Sequence, residues 1–361
     1  MAYRIEGTAL PDGRRQELFV VDGRFRSEPV DGATTLLEDV WLLPGLVDVH
    51  AHLELASPAP DDAPPREKVL ASGRAQLDAG VCAVREPGSP HHASTGLGPA
   101  DGMPRTVTAG RFLAPAGRYF PGLAREVDDD ALPDAAVEEL RAGGGTWAKV
   151  IGDFPVPGQD FLRTYSREAL AEAAARVHAA GGRIAVHCTV PEVVQDAIDA
   201  GFDSLEHGTF LQLDQVPDAA RAGATWVPTR TIEPAVRGLL RAMEMPDAVV
   251  RRVEEGLVRQ PEVLREAVAA GVRVLAGTDA GMGPHGQVAE EVRLLREAGL
   301  DAGVALAAGS WAAREWLGLP GITDGAPADL VVYREDPRDT PGVLDHPVLV
   351  VLDGKVVRDA R

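Results

Sequence analysis

Four of the nine histidines sit at or near the ends of apolar, β-rich runs: His50, His52, His187 and His207. His50 and His52 stand two residues apart in Val-Asp-Val-His-Ala-His. On a strand, that spacing turns both imidazoles to the same side. Two imidazoles on one face can grip one metal ion, and zinc, manganese, iron and nickel all accept imidazole nitrogen. Asp279, in Leu-Ala-Gly-Thr-Asp-Ala-Gly, could ligate such an ion, take a proton from metal-bound water, or cap a helix. The Gly-Met-Gly-Pro stretch that follows it separates it from the next helical segment and disfavours the cap.

Lys149 is one of only three lysines, with Lys68 and Lys355, in a chain whose other basic residues are arginine. In Trp-Ala-Lys-Val-Ile-Gly-Asp the alternation puts Trp147, Lys149 and Ile151 on one face. A buried ammonium is costly unless paired, and a neighbouring metal cation makes it costlier. Three arrangements relieve the conflict. The amine is neutral, or it has reacted with carbon dioxide to give a carbamate whose two oxygens can bridge two metal ions, or it pairs with Asp153.

These residues need a scaffold that brings strand ends together. Eight strand candidates occur, at 47–52, 81–86, 105–113, 146–153, 183–190, 204–210, 225–229 and 272–281, with mostly helical returns. Alternating β and α units indicate a parallel sheet. Eight of them in about 250 residues suit an α/β fold of the closed (β/α)8, TIM-like barrel kind. In such a barrel the active site forms at the C-terminal strand ends, and strand eight lies beside strand one, which carries Asp279 towards His50 and His52. Ser166 reads as an N-cap, Gly181 as a C′ residue and Pro191 as a helix opener. Pro246 and Pro261 predict that the helical region 246–270 is broken.

The two ends of the chain are alike in texture and unlike the middle. Short β-rich segments punctuated by Gly and Pro fill residues 1–43 and again 322–361. They predict a small discontinuous β-sandwich built from both termini, with a barrel at 44–321 inserted into it.

Composition mainly excludes. The chain has 361 residues, 36 Lys and Arg against 55 Asp and Glu, a net charge of −19, and 45% apolar residues. That field repels nucleic acid and anionic membrane surfaces. Cys82 and Cys188 cannot form a disulfide framework, which points to a reducing compartment. The N-terminal segment does not read as a secretory signal, and no apolar run is long enough to span a bilayer. The expectation is a cytoplasmic protein acting on a small molecule, without nucleic-acid or membrane partners. An apolar helix face would allow a homo-oligomer.

Together the site residues resemble the amidohydrolase superfamily in its urease-related branch. Pro-Gly-Leu-Val-Asp-Val-His50-Ala-His52 is similar to that family's strand-one signature. Lys149 matches its strand-four lysine, carbamylated in binuclear members. His187 and His207 match the strand-five and strand-six ligands, with Ser-Leu-Glu-His207-Gly close to the usual form. Leu-Ala-Gly-Thr-Asp279-Ala-Gly matches the strand-eight aspartate, and Gly-Ala-Pro-Ala-Asp329-Leu-Val-Val resembles the tail re-entering the β-domain. More narrowly, the chain resembles imidazolonepropionase-like proteins and Xaa-Pro dipeptidases. Arg85 matches the strand-two arginine of that group, and Gly-Pro-His285-Gly its segment after the aspartate. Many members carry Gly-Gly-His after strand three, where this chain reads Ala-Pro-Ala-Gly-Arg118-Tyr119-Phe120.

The resemblance implies two divalent ions, zinc first and manganese, iron or nickel as alternatives. His50, His52 and Asp279 would hold one, His187 and His207 the other, with a carbamate on Lys149 bridging. A hydroxide between the ions would attack, and Asp279 would move the proton. The expected enzyme is a hydrolase cutting an amide bond in an N-acyl amino acid, a dipeptide or a cyclic amide. Arg118, Tyr119, Arg230 and His285 are the candidates for holding the substrate, since arginine in strand-end loops can bind a carboxylate bidentately. A mononuclear deaminase, a lactonase or carbamate hydrolase on the same core, and a catalytically silent scaffold are the alternatives.

Overall fold

The computed structural model describes residues 2–361. Eight strands run parallel in one curled sheet: Leu46–Asp48, Val81–Glu86, Arg105–Ala114, Trp147–Ile151, Arg183–Cys188, Ser204–His207, Thr225–Val227 and Arg273–Val274. Each corresponds to one of the eight candidate runs. A short extra strand, Ala124–Glu126, pairs beside Arg105–Ala114. The curl brings the first and last strands together. Val49 N–H donates to Ala276 O at 3.1 Å, Asp279 N–H to His50 O at 2.7 Å and His52 N–H to Ala280 O at 2.7 Å. The backbone groups that an edge strand would leave unpaired are thereby satisfied. Asp48 reinforces the same seam, accepting from Thr278 N at 3.0 Å and Thr278 Oγ1 at 2.6 Å.

The helices cover the outside, and their ends follow the local chemistry. Ser166 Oγ accepts from Ala169 N–H at 3.2 Å, opening Arg167–Ala179. Gly181 closes that turn with φ of 80°. Pro191 begins Pro191–Asp199, where its missing N–H leaves no bond unmade. The expected break near Pro261 does not occur. Asp247–Ala269 is one helix with Pro261 inside it and Pro246 immediately before it. A proline removes one intrahelical bond. Here burial on both sides of it compensates: Val249, Val253 and Leu257 pack into one cluster, and Val263, Leu264 and Ala267 into the main core.

Strands from both termini join in one hydrogen-bonded ladder. Tyr3–Ala9, Arg14–Val21, Arg24–Arg26, Thr34–Pro44, Leu330–Tyr333, Leu349–Leu352 and Lys355–Asp359 form a single seven-stranded sheet. The reason is the long strand Thr34–Pro44. It pairs parallel with Tyr3–Ala9 on one side and antiparallel with Leu330–Tyr333 on the other, stitching the two ends into one ladder. Alternation then sorts the side chains. Leu42, Leu330, Val332, Leu349 and Val351 join Ile5 and Val20 in the sheet's own core. Leu43, Val331, Tyr333, Val350 and Leu352 pack into the main core. Buried Asp329 locks the junction, accepting from Arg105 Nε at 2.6 Å and Arg314 Nη2 at 2.9 Å. Among the described residues, no helix is long and apolar enough to cross a membrane.

Candidate metal centre

The C-terminal ends of the parallel strands converge on one cavity. His50, His52, Lys149, His187, His207 and Asp279 all line it. Every one of them is buried or nearly so. His50, His52 and Asp279 form a group able to hold a metal ion. The two imidazole Nε2 atoms lie 3.3 Å apart, and Asp279 Oδ1 is 3.3 Å from one and 3.1 Å from the other. Gly277 allows this approach, since a Cβ there would fall 2.6 Å from His50 Cβ.

The protons on these rings can be assigned from their partners. His52 Nδ1 faces the Gly88 carbonyl at 2.8 Å, which can only accept. His50 Nδ1 faces the Glu206 carboxylate at 2.6 Å, which accepts when ionised. His207 Nδ1 faces Thr229 Oγ1 at 2.8 Å, and that hydroxyl spends its one proton on Pro228 O at 2.8 Å. Each Nδ1 therefore donates, so that in the neutral ring each Nε2 presents a lone pair. At the His50–His52–Asp279 group, lone pairs from two nitrogens and a carboxylate oxygen meet with no proton assigned between them. A cation is what such a donor set fits. Two further atoms lack partners: Lys149 Nζ and His187 Nε2, both buried. The Lys149–Asp153 pair weighed from the sequence does not form, since Asp153 Oδ2 accepts from Thr189 N and Val190 N at 2.7 and 3.1 Å.

Charge at the site is set by burial and by one buried ion pair. Burial lowers Lys149 to about 8 and His207 to about 3. Burial would raise Glu206, but Arg85, Lys149 and His50 outweigh it and hold the carboxyl well below its ordinary range. Burial likewise opposes ionisation of Asp279, and the adjoining His50 reverses it and holds the carboxyl well below its ordinary range. Arg85 Nη2 donates to Glu206 Oε1 at 2.5 Å and Arg85 Nε to Val49 O at 2.7 Å. The chain Arg85–Glu206–His50 thus orients the first histidine. Backbone strain accompanies this arrangement. His207, Thr229 and Asp279, at the ends of three successive strands, have φ of 67°, 49° and 52°. Non-glycine residues adopt that region at a cost, and such outliers cluster at functional sites.

Not all of the sequence candidates reach the cavity. Tyr119 lines it, with Phe112, Phe120, Phe154 and Phe161. Arg118, Arg230 and His285 are not among its lining residues. Arg118 Nη2 donates to the carbonyls of Leu162 and Arg163 at 3.0 and 3.1 Å. Arg230 pairs with Glu233 at 3.2 Å and donates to Leu294 O at 3.0 Å. His285 Nε2 donates to Leu55 O at 3.0 Å. In each case a nearby carbonyl or carboxylate engages the side chain, which residue type and loop position alone do not reveal. Glu206, Thr229 and the phenylalanines that stand with Tyr119 in the aromatic wall were not singled out as site residues from the sequence. For Glu206 a signal existed: a carboxylate next to His207 whose alternation turns it to the opposite side.

Comparison with known proteins places the chain. The amidohydrolase family matches residues 41–357, and the chain belongs to that family. It is a hydrolytic enzyme by that membership. An uncharacterized protein of Mycobacterium tuberculosis is 38% identical over 355 residues, covering 97% of this chain and 94% of that one. The crystal structure of a Xaa-Pro dipeptidase with bound methionine has the same fold, with a TM-score of 0.83, 21% identity and 99% coverage of both chains. The crystal structure of A. niger ochratoxinase also has this fold, with a TM-score of 0.80 and 19% identity, covering 99% of this chain and 96% of that one.

Proposed function

We propose that this chain is a metal-dependent hydrolase that cleaves an amide bond in a small molecule, at the mouth of a (β/α)8 barrel. The observation that carries the reading is the convergence of lone pairs at His50, His52 and Asp279 beside the unpartnered Lys149 Nζ and His187 Nε2. His50, His52 and Asp279 would hold one divalent ion, and His187 and His207 a second, with Lys149 bridging as its carbamate. Zinc suits these imidazole and carboxylate donors, and manganese, iron or nickel would also fit. The ions would supply Lewis acidity and a water made acidic enough to attack at neutral pH.

The chain's own groups do the rest. Asp279, kept ionised between two imidazoles, takes the proton from the attacking water and hands it to the leaving nitrogen. Glu206 and Thr229 fix the ring orientation of His50 and His207 through their Nδ1 protons. Phe112, Tyr119, Phe120 and Phe154 stand against the polar floor and exclude water from it. Formation of the carbamate joins the neutral Lys149 amine to carbon dioxide and releases one proton, leaving an anion where an ammonium would be repelled. Family membership and the amide-related names of the structural neighbours support the bond type. Turnover of an amide panel by zinc-loaded protein, abolished by chelation and restored by metal, is the test. A protein that binds one ion, carries unmodified Lys149 and releases ammonia from an amino-heterocycle would be the mononuclear deaminase instead.

A further inference from the structure

The cavity has two unlike ends. One is the polar floor. The other is a lobe contributed by Phe161, Val236, Leu239, Leu240, Val253 and Leu257. Outside the floor, no arginine or lysine lines the cavity among the described residues. The one acidic side chain there is Glu233, held by Arg230 at 3.2 Å and Arg237 at 3.8 Å. Beyond the floor, a substrate carboxylate would meet no cation of the protein and would lie in a wall that is mostly hydrocarbon. Burying an unpaired charge is strongly disfavoured.

Within the helix Asp247–Ala269, Val253, Leu257 and Gln260 follow the spacing of one helical face, and all three line the cavity. Gln260 is 3% exposed. Its Oε1 is buried without a hydrogen-bond partner. A buried acceptor left open costs free energy that a ligand donor would recover.

Building on the amide-hydrolase reading, we infer that the substrate is an uncharged amide. It lacks a carboxylate next to the scissile bond and carries an aromatic or branched apolar group in the far lobe. Gln260 there accepts from a hydroxyl or N–H borne by that group. This replaces the N-acyl amino acids and dipeptides that the sequence suggested, because the arginines meant to hold their carboxylate are engaged elsewhere.

The test uses matched amides on the zinc-loaded protein. N-benzoyl-phenethylamine and N-benzoyl-phenylalanine differ only in the carboxylate. The neutral member should have a kcat/KM at least about 100-fold higher, as expected when a charge is left unpaired in the pocket. It should also raise Tm on binding, where the carboxylate member does not. Equal or better cleavage or binding of N-benzoyl-phenylalanine overturns the inference, and so does the absence of binding by either. If the neutral member binds selectively but is not cut, the substrate class stands and the hydrolase reading fails. For Gln260, N-benzoyl-tyramine adds a distal hydroxyl. Wild type should bind it roughly tenfold more tightly than N-benzoyl-phenethylamine. Gln260→Leu should lose that preference while keeping its metal content and its affinity for the compound without the hydroxyl. Retention of the preference in Gln260→Leu removes Gln260 from the account.

Discussion

The strand Trp147–Ile151 reaches two very different environments. At its start, Trp147 stacks 5.0 Å from Trp316, and Arg85 and Arg183 sit 4.7 and 5.3 Å from its ring. Broad aromatic faces and guanidinium planes fill that end as a plug. Two residues on, the same side of the strand presents Lys149, whose amine finds no partner. Around it lie facing lone pairs and three left-handed residues. One end of the curled sheet is optimised for packing, and the other holds groups whose arrangement costs stability. Arg85 joins them, stacked on the plug and bonded to Glu206. Strain concentrated where the proposed reaction would occur, supported by a well-packed base, is the pattern the fold makes possible.

Four substitutions would break or sharpen this contrast. Asp279→Asn should lower kcat by about 10³-fold or more, with little loss in the Tm of the metal-free protein. A comparable loss of Tm would mean that the residue is structural. Trp316→Ala, at the plug, should cost about 3–5 kcal/mol in urea unfolding and leave kcat within a few-fold; a large kcat effect would blur the division between the ends. Glu206→Gln should weaken metal affinity by about 10–100-fold, and it should also destabilise the fold, since Arg85 loses its buried counter-charge. Competition with a chelator reads the first effect and chemical denaturation the second. Lys149→Met should raise the stability of the metal-free protein by about 1–3 kcal/mol, because an unpaired buried amine is replaced by a side chain of similar length, while activity falls. A destabilised Lys149→Met would show that the lysine serves the fold.

The sequence carried some of this structure well. All eight strands were readable because each buried strand is a short apolar run bounded by turn residues. The histidine pair was readable because a period of two is invariant along a strand. Asp279 was readable only through closure of the sheet, an inference from topology. What escaped depended on partners distant in the chain. Whether Arg118 or Arg230 faces a substrate is decided by carbonyls at Leu162 and Leu294, which no local pattern reports. Pro261 lies within a helix because packing on both sides outweighs one lost bond. The single terminal sheet rests on one long strand, Thr34–Pro44, whose two partners come from opposite ends of the chain. The apolar lobe, drawn from several elements, leaves no contiguous signature.

The central claim is that the six polar residues of the floor form a two-ion centre. Its most direct test is the metal content of the purified, zinc-equilibrated protein, measured by plasma mass spectrometry beside Lys149→Met. The account predicts two ions per wild-type chain and fewer in the variant. No bound metal in the wild type, or the same stoichiometry in both, would contradict it.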